Sequence, residues 1–218
     1  MGSTERVAQI LGYVTKLPSD SYGLKWRPSI APHYPDGLDW LGLPGPYPSG
    51  HFSDLDHRAL EYAYNKLSAP PKLIVEIGVD VYPPSSTSTL LKLKPNECTY
   101  IGIDISDKSH LNNVENNVFT IQTDSIEYEK LYQLMDSLHL TEIDLFFVDG
   151  EHSVNEVLWE WKYWEKMSPN GVMAFHDINF HPGPITVLDA IDRDIFSVEY
   201  FGRGELDWGV GVVQRLIS

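Results

Sequence analysis

The chain has 218 residues, 42% hydrophobic and 22% charged, enough to bury the core of one domain and too short for two comfortable ones. Asp and Glu number 31 against 16 Lys and Arg, for a formal net charge of −15. That balance excludes a broad nucleic-acid or anionic-membrane surface, because either needs a cationic face to displace counterions. The lone cysteine, Cys98, excludes an internal disulfide and a cysteine-rich zinc site.

Residues 1–52 hold Pro18, Pro28, Pro32, Pro35, Pro44, Pro46 and Pro48 with Trp26 and Trp40. Proline at this density breaks periodic structure while the aromatics need somewhere to pack, which predicts an irregular arm lying on the main domain. Its opening Met-Gly-Ser-Thr-Glu-Arg has no apolar signal core, and Arg6 stands where a myristoylation motif takes Ser or Thr. No apolar run approaches a membrane span. The expected setting is the reducing cytoplasm.

Residues 53–218 are punctuated regularly. Ser53 caps a predicted helix to Leu67, with Ala59, Leu60, Ala63 and Leu67 on one face. Apolar runs at 73–77, 100–103, 118–121, 143–148 and 172–175 read as buried strands. Between them, helices are predicted from Asp124-Ser125 through Leu138 and over Ser153 to Met167. The second opens on a Ser153/Glu156 capping box and is ended by Pro169-Asn170-Gly171. Another helix covers Pro184 to Ile191. Phe196 to Phe201 and Gly209 to Arg215 form an antiparallel hairpin at a sheet edge. Continuous apolar strands alternating with helices predict an α/β fold, a mostly parallel sheet with helices on both faces.

Ligands in such a sheet bind beyond the carboxyl ends of the strands. Those positions are Glu76, Gly78 and Asp80; Asp104; Asp124 and Ser125; Asp149, Glu151 and His152; and His176, Asp177 and Asn179. Five consecutive strands thus deliver an acid or a hydrogen-bonding group to one rim. The first loop has one glycine, two prolines and Asp80, a poor cradle for phosphates. A nucleoside without phosphate suits the rim better. Asp104, with Ile105 after it, is placed for two ribose hydroxyls, and Asp124-Ser125 for an adenine edge. Ser85-Ser86-Thr87 at a helix start suits an amino-acid carboxylate. Ribose, adenine and an amino-acid tail describe S-adenosylmethionine.

Val75-Glu76-Ile77-Gly78, Gly102-Ile103-Asp104, Thr123-Asp124-Ser125, Asp149-Gly150-Glu151-His152-Ser153 and Pro169-Asn170-Gly171 with His176-Asp177 resemble class I S-adenosylmethionine-dependent methyltransferases. Within them the chain is similar to the small bacterial group that includes macrocin-type and rhamnosyl O-methyltransferases. The resemblance implies a Rossmann-like seven-stranded sheet with a reversed last strand, and an O-methyltransferase acting on a small-molecule or sugar hydroxyl. It implies cofactor contacts from Glu76, Gly78, Asp80, Ser86, Asp104, Ile105, Asp124, Ser125, Asp149 and His152. Several relatives hold a divalent cation, which points here to Asp149 and Asp177 with Mg²⁺, although no third ligand is evident. His152 and His176 are the candidate bases, since a neutral imidazole suits removal of a hydroxyl proton. A small-molecule acceptor is the expected partner, and a homo-oligomer is left open. The rival readings are a non-catalytic S-adenosylmethionine or nucleoside-binding module and an NAD or nucleotide-sugar oxidoreductase.

Overall fold

The computed structural model describes residues 52–203 and 207–216. The predicted N-terminal arm lies outside the described residues, as does the middle of the final turn.

In chain order the elements are α1 (Asp54–Asn65), β1 (Leu73–Ile77), α2 (Ser86–Leu93), β2 (Thr99–Asp104), β3 (Val118–Gln122), α3 (Tyr128–Ser137), β4 (Ile143–Val148), α4 (Val154–Glu160), β5 (Met167–Phe175), α5 (Pro182–Ala190), β6 (Phe196–Phe201) and β7 (Val210–Arg215). The strands form one sheet in the order β3-β2-β1-β4-β5-β7-β6. Neighbours from β3 to β5 run parallel, while β7 is antiparallel to both β5 and β6. The terminal hairpin is therefore present with β7 tucked inside and β6 at the edge.

Alternation along each strand fills both faces. Leu73, Val75 and Ile77 of β1 meet Met135 of α3 and Trp161 on one side, in a core continued by Phe146, Phe175 and Leu188. Ile74 faces the other way, into a core of Leu145, Phe147, Ala59, Leu60, Ala63 and Leu90 supplied by β4, α1 and α2. Burial on both faces is why the strands read as unbroken apolar runs. No helix among the described residues is long and apolar enough to cross a membrane.

Three helices differ from the sequence expectation. α3 starts at Tyr128 rather than at Asp124-Ser125, because Asp124 Oδ1 accepts from Ile126 N and closes a local turn instead. The helix expected from Ser153 to Met167 is α-helical only to Glu160 and continues as a 3₁₀ segment, Trp161–Lys166. Three residues per turn bring Trp161 and Trp164 onto one buried face, their rings 5.4 Å apart. Pro169-Asn170-Gly171 consequently falls inside the first part of β5 instead of ending a helix. Of the expected capping box, half forms: Ser153 Oγ accepts from Glu156 N, while Ser153 N donates to Glu151 Oε2. α5 begins two residues earlier than predicted, at Pro182.

β1 pairs with β2 on one side and β4 on the other, so the sheet reverses its order of winding between β1 and β4. Hydrogen bonding runs one residue past the strand ends. Gly78 N donates to Ile103 O, Asp149 N to Ile77 O, and His176 N to Val148 O. This extension sets the residues after β1, β4 and β5 side by side along the rim.

Candidate active site

Two cavities open at that rim and share a wall of Gly78, Asp149, Gly150 and Glu151. The first, about 610 Å³, is bounded by Asp104, Ile105, Lys108, Asp124, Ser125 and Glu156. The second, about 870 Å³, is bounded by Asp80, Tyr82, His152, His176, Asp177, His181 and Trp208.

The shared wall depends on Gly78. Its φ is +82°, and a Cβ there would stand 1.9 Å from Asp149 O. A left-handed backbone is cheap only for glycine, and here the neighbouring strand end leaves no room for a side chain either. Gly78→Ala is expected to cost at least the ~1–3 kcal/mol of a strained left-handed residue. Urea unfolding checks it, and an unchanged midpoint would show that the β1–β4 rim yields more than this packing implies.

In the smaller cavity Asp104 is held open-armed. Its Oδ2 accepts from Val79 N at 2.9 Å and its Oδ1 from Ser106 N at 2.7 Å, with Lys108 Nζ 3.6 Å away. Ile105 is 76% exposed at the mouth, an apolar side chain left without a packing partner in the core. Asp124 is exposed there, and Ser125 is buried on the floor. Ser125 does not cap α3. Its hydroxyl donates to Glu160 Oε1 at 2.8 Å.

Two of the ten expected cofactor contacts sit elsewhere. Glu76 is fully buried and lines neither cavity. Its Oε2 accepts from Thr87 Oγ1 at 2.7 Å and from the Tyr100 hydroxyl, which ties the start of α2 to β2. Burial pushes its carboxyl up to about 7. Ser86 is buried beneath the same loop and also lines neither cavity. α2 begins on a Ser85/Ser88 capping box, with Asp80 N donating to Thr87 Oγ1. The Ser85, Thr87 and Ser88 hydroxyls are spent holding the loop, whereas the Ser86 hydroxyl makes no hydrogen bond.

The larger cavity collects a network of acids and imidazoles from four elements. His176 is buried, with Nδ1 3.1 Å from Asp149 Oδ1 and 3.3 Å from Asp177 Oδ1. Its Nε2 lies 3.2 Å from Asp56 Oδ2. Asp56 itself belongs to α1, where the same Oδ2 accepts from Ser53 N at 2.8 Å in the capping box that starts the helix. His152 Nε2 is 2.9 Å from Asp177 Oδ2 and 3.4 Å from Asp149 Oδ1. Its ring stacks on that of His181, centroids 4.3 Å apart, and His181 Nε2 is 3.7 Å from Asp177 Oδ2. Asp177 takes a left-handed backbone, φ +61°, which aspartate tolerates better than most side chains. Trp208 stacks on His181 across the cavity.

The charges follow from these contacts. Burial alone would lower His152, but hydrogen bonding to Asp149 and Asp177 outweighs it and lifts the imidazole to about 10. For His176 the same two carboxylates overcome burial and raise it well above the usual range. In return the imidazoles hold Asp149 and Asp177 below the ordinary carboxylate range, against a burial effect of opposite sign. His181 is lowered, by burial first and then by the neighbouring His152 charge. The two base candidates differ in access. The His152 side chain is 21% exposed, whereas that of His176 is 3% exposed with both nitrogens facing carboxylates.

Asp56 and His181 escaped the sequence reading. Asp56 reads as an ordinary first-turn acid, and only the fold shows that α1 starts against the residue after β5. The spacing Asp177-x-x-x-His181 after a strand was the available signal for His181. Asn179 is used up elsewhere, its Nδ2 donating to Gly202 O and Asp207 O in the β6–β7 turn. His57 is half-buried between α1 and α2 with Nδ1 2.5 Å from Thr89 Oγ1.

Residues 75–178 match a family model described as a methyltransferase domain. Among solved structures, the MycE methyltransferase of the mycinamycin biosynthetic pathway, complexed with Mg, SAH and mycinamycin VI, is similar at 18% identity and a TM-score of 0.55. That alignment covers 76% of this chain and 50% of MycE, so the chain spans about half the MycE length. An O-methyltransferase from Bacillus cereus in complex with SAH aligns at 15% identity and TM-score 0.52, over 77% of this chain and 84% of that one. An rRNA methylase from Streptococcus thermophilus aligns at 11% identity and TM-score 0.55, over 77% of this chain and all of that one (100%). No curated protein matches the sequence. At these identities the structural likenesses speak for the fold, and the matched segment runs from β1 to the residue after Asp177, across both cavities. Residues 75–178 thus match a methyltransferase domain, and the fold around them is the Rossmann-like one of the SAH-bound methyltransferases above.

Proposed function

We propose that the chain transfers the methyl group of S-adenosylmethionine to a hydroxyl oxygen of a small-molecule acceptor. The observation that carries this reading is the pair of cavities meeting at Gly78 and Asp149. One offers Asp104 to a ribose diol, and the other offers a proton-accepting cluster on the far side of the same wall. A sulfonium methyl held at that junction faces an acceptor oxygen in the larger cavity.

In the transfer the acceptor oxygen forms a bond to the methyl carbon as the carbon–sulfur bond breaks. Its electron pair stays on sulfur, giving S-adenosylhomocysteine, and the hydroxyl proton must leave. Neutral His152 is assigned as its acceptor, because it lines the larger cavity and is open to it, whereas both His176 nitrogens already face carboxylates. The imidazolium that Asp149 and Asp177 favour must first give up its proton. Asp149 and Asp177 fix the orientation of the His152 ring. Tyr82 and Trp208 stand on the cavity wall, where a ring-shaped acceptor would lie against them.

A divalent cation, expected from the sequence to be Mg²⁺, belongs to this reading as a proposal. Repulsion between Asp149 and Asp177 does not by itself require it, since the imidazoles of His152 and His176 already lie against both carboxylates. The residues nonetheless fit a divalent cation: carboxylates from two strand ends converge, and the buried Asp177 Oδ1 accepts no hydrogen bond. An ion bound there would polarise the acceptor oxygen and draw charge from both carboxylates, returning His152 toward the ordinary imidazole range. The acid-rich chain and the buried Cys98, whose thiol burial pushes up to about 12, suit the reducing cytoplasm, with no nucleic-acid or membrane partner.

Calorimetric titration with S-adenosylhomocysteine tests the reading. Asp104→Ala should bind at least tenfold more weakly than wild type, as expected for losing about 1.5–3 kcal/mol per charge-assisted hydrogen bond. Asp104→Asn, which can still accept from Val79 N, separates this loss from a collapsed loop. Tighter binding of NAD than of S-adenosylhomocysteine would replace the methyltransferase reading by the oxidoreductase one. Cofactor binding without turnover of any acceptor hydroxyl would leave a binding module.

A further inference from the structure

We propose that Asp149, His176 and Asp177 form a mixed nitrogen–oxygen site that holds a divalent transition-metal ion through the His176 imidazole, with Asp56 of α1 fixing that ring from behind. The proposal deepens the methyl-transfer reading, on which it rests only for what the ion does.

Geometry is the first support. Asp149 Oδ1 and Asp177 Oδ1 stand 3.1 and 3.3 Å from His176 Nδ1, and one atom from each residue falls in a common cluster. Ligand atoms in neighbouring positions about one ion, at bonds of about 2.1 Å, are roughly 3 Å apart. Asp177 Oδ1 is buried and accepts no hydrogen bond, so a lone pair aimed into the cluster is left over.

The second support comes from the opposite side of the ring. His176 Nε2 faces Asp56 Oδ2 at 3.2 Å, and Asp56 is fully buried although most aspartates lie at the surface. A histidine that ligates a metal commonly gives its other N–H to a carboxylate, which fixes the tautomer and strengthens the ligand. With an ion on Nδ1, Asp56 would take that N–H; in this structure Nε2 makes no hydrogen bond, and Nδ1 faces the two rim acids. Phe52 packs on the same ring, centroids 5.3 Å apart, which limits its rotation.

Donor chemistry then decides the ion. Mg²⁺ takes oxygen ligands and keeps much of its water, so an imidazole among three protein donors counts against it. Imidazole nitrogen is a good donor for Fe²⁺, Co²⁺, Ni²⁺ and Zn²⁺, whose affinities also exceed that of Mn²⁺. The cluster therefore departs from an all-carboxylate Mg²⁺ site at the residue where His176 stands. A second grouping, His152, Asp177 and His181, shares Asp177. In it the His181 Nε2 is the more distant donor, 3.7 Å from Asp177 Oδ2.

The test uses the full chain, freed of metal by chelation. Co²⁺ and Mg²⁺ are titrated calorimetrically, and pulsed electron spin resonance on the Mn²⁺-loaded protein reads nitrogen ligation. Wild type should prefer Co²⁺ strongly and show the nitrogen modulation of a bound imidazole. His176→Asp should lose that modulation and narrow the Co²⁺ over Mg²⁺ preference at least tenfold. Asp56→Asn should weaken Co²⁺ by 10–100-fold, the range for removing such a supporting carboxylate. His181→Ala should leave Co²⁺ affinity within about threefold of wild type. Retained modulation in His176→Asp, or its loss in His181→Ala, overturns the assignment, as does the absence of metal binding by wild type. S-adenosylhomocysteine binding is measured on every variant. A chain that binds it and no metal refutes this site alone, and one that binds metal but no S-adenosylhomocysteine refutes the methyl-transfer reading alone.

Discussion

Replacing His152 by alanine is expected to lower turnover of an accepted hydroxyl substrate by 10²–10⁴-fold, the range for removing a general base, with S-adenosylhomocysteine affinity little changed. The split follows from position. His152 follows β4 on the wall of the larger cavity, and its Nε2 reaches Asp177 and Asp149 without touching Asp104 or the floor at Ser125. Its backbone is anchored separately, because Gly183 N donates to His152 O at 2.9 Å, so truncating the ring leaves the loop in place. Single-turnover kinetics at saturating cofactor, read beside calorimetry, measure both quantities. Equal losses in cofactor affinity and turnover would place the residue in the cofactor site. Undiminished turnover would pass the proton to another group on that wall, where His181 is the imidazole held below its ordinary range.

The sheet was legible in the sequence because burial on both faces leaves a strong local signal. Val75-Glu76-Ile77 and Leu145-Phe146-Phe147 are apolar without interruption except at Glu76, and they became β1 and β4 with ends in register. The rim was legible for the same reason: in a parallel sheet, the residue after each apolar run is the one at the carboxyl edge. What lay beyond reach was anything decided by distance across the fold. Glu76 reads like a rim acid, and only the packing of Thr87 and Tyr100 over it shows a buried tie between α2 and β2. Asp56 is separated from His176 by 119 intervening residues, and no local pattern announces their meeting. Helix starts failed where side chains compete with the backbone, as at Asp124, whose carboxylate closes a turn before α3 can begin.

Stability is expected to fall as pH rises from about 5 to about 8, and Glu160→Gln should remove much of that fall. Glu160 is fully buried at the end of α4, where Oε1 accepts from Ser125 Oγ and Oε2 has no hydrogen-bond partner. Desolvation is the leading cause that pushes its carboxyl up to about 8. In the unfolded chain the same group titrates near the ordinary glutamate value of about 4.3. Between those values the folded state holds a proton that the unfolded state has released. The slope of unfolding free energy with pH is therefore negative through the window, and the stabilisation present below pH 4 is lost as pH climbs through the folded value. At about 1.4 kcal/mol per unit, a shift of this size amounts to several kcal/mol by pH 8. Glutamine keeps an oxygen to accept from Ser125 and carries no charge to desolvate. Urea unfolding midpoints of wild type and Glu160→Gln should thus agree near pH 5 and diverge toward pH 8.5, with the variant the more stable. Glu76, raised to about 7 by burial, adds a slope of the same sign that both proteins share, so the difference between them isolates Glu160. Parallel curves across the range would mean that the ionised carboxylate finds a partner inside the fold, with Ser125 and the nearby His152 charge the groups in reach.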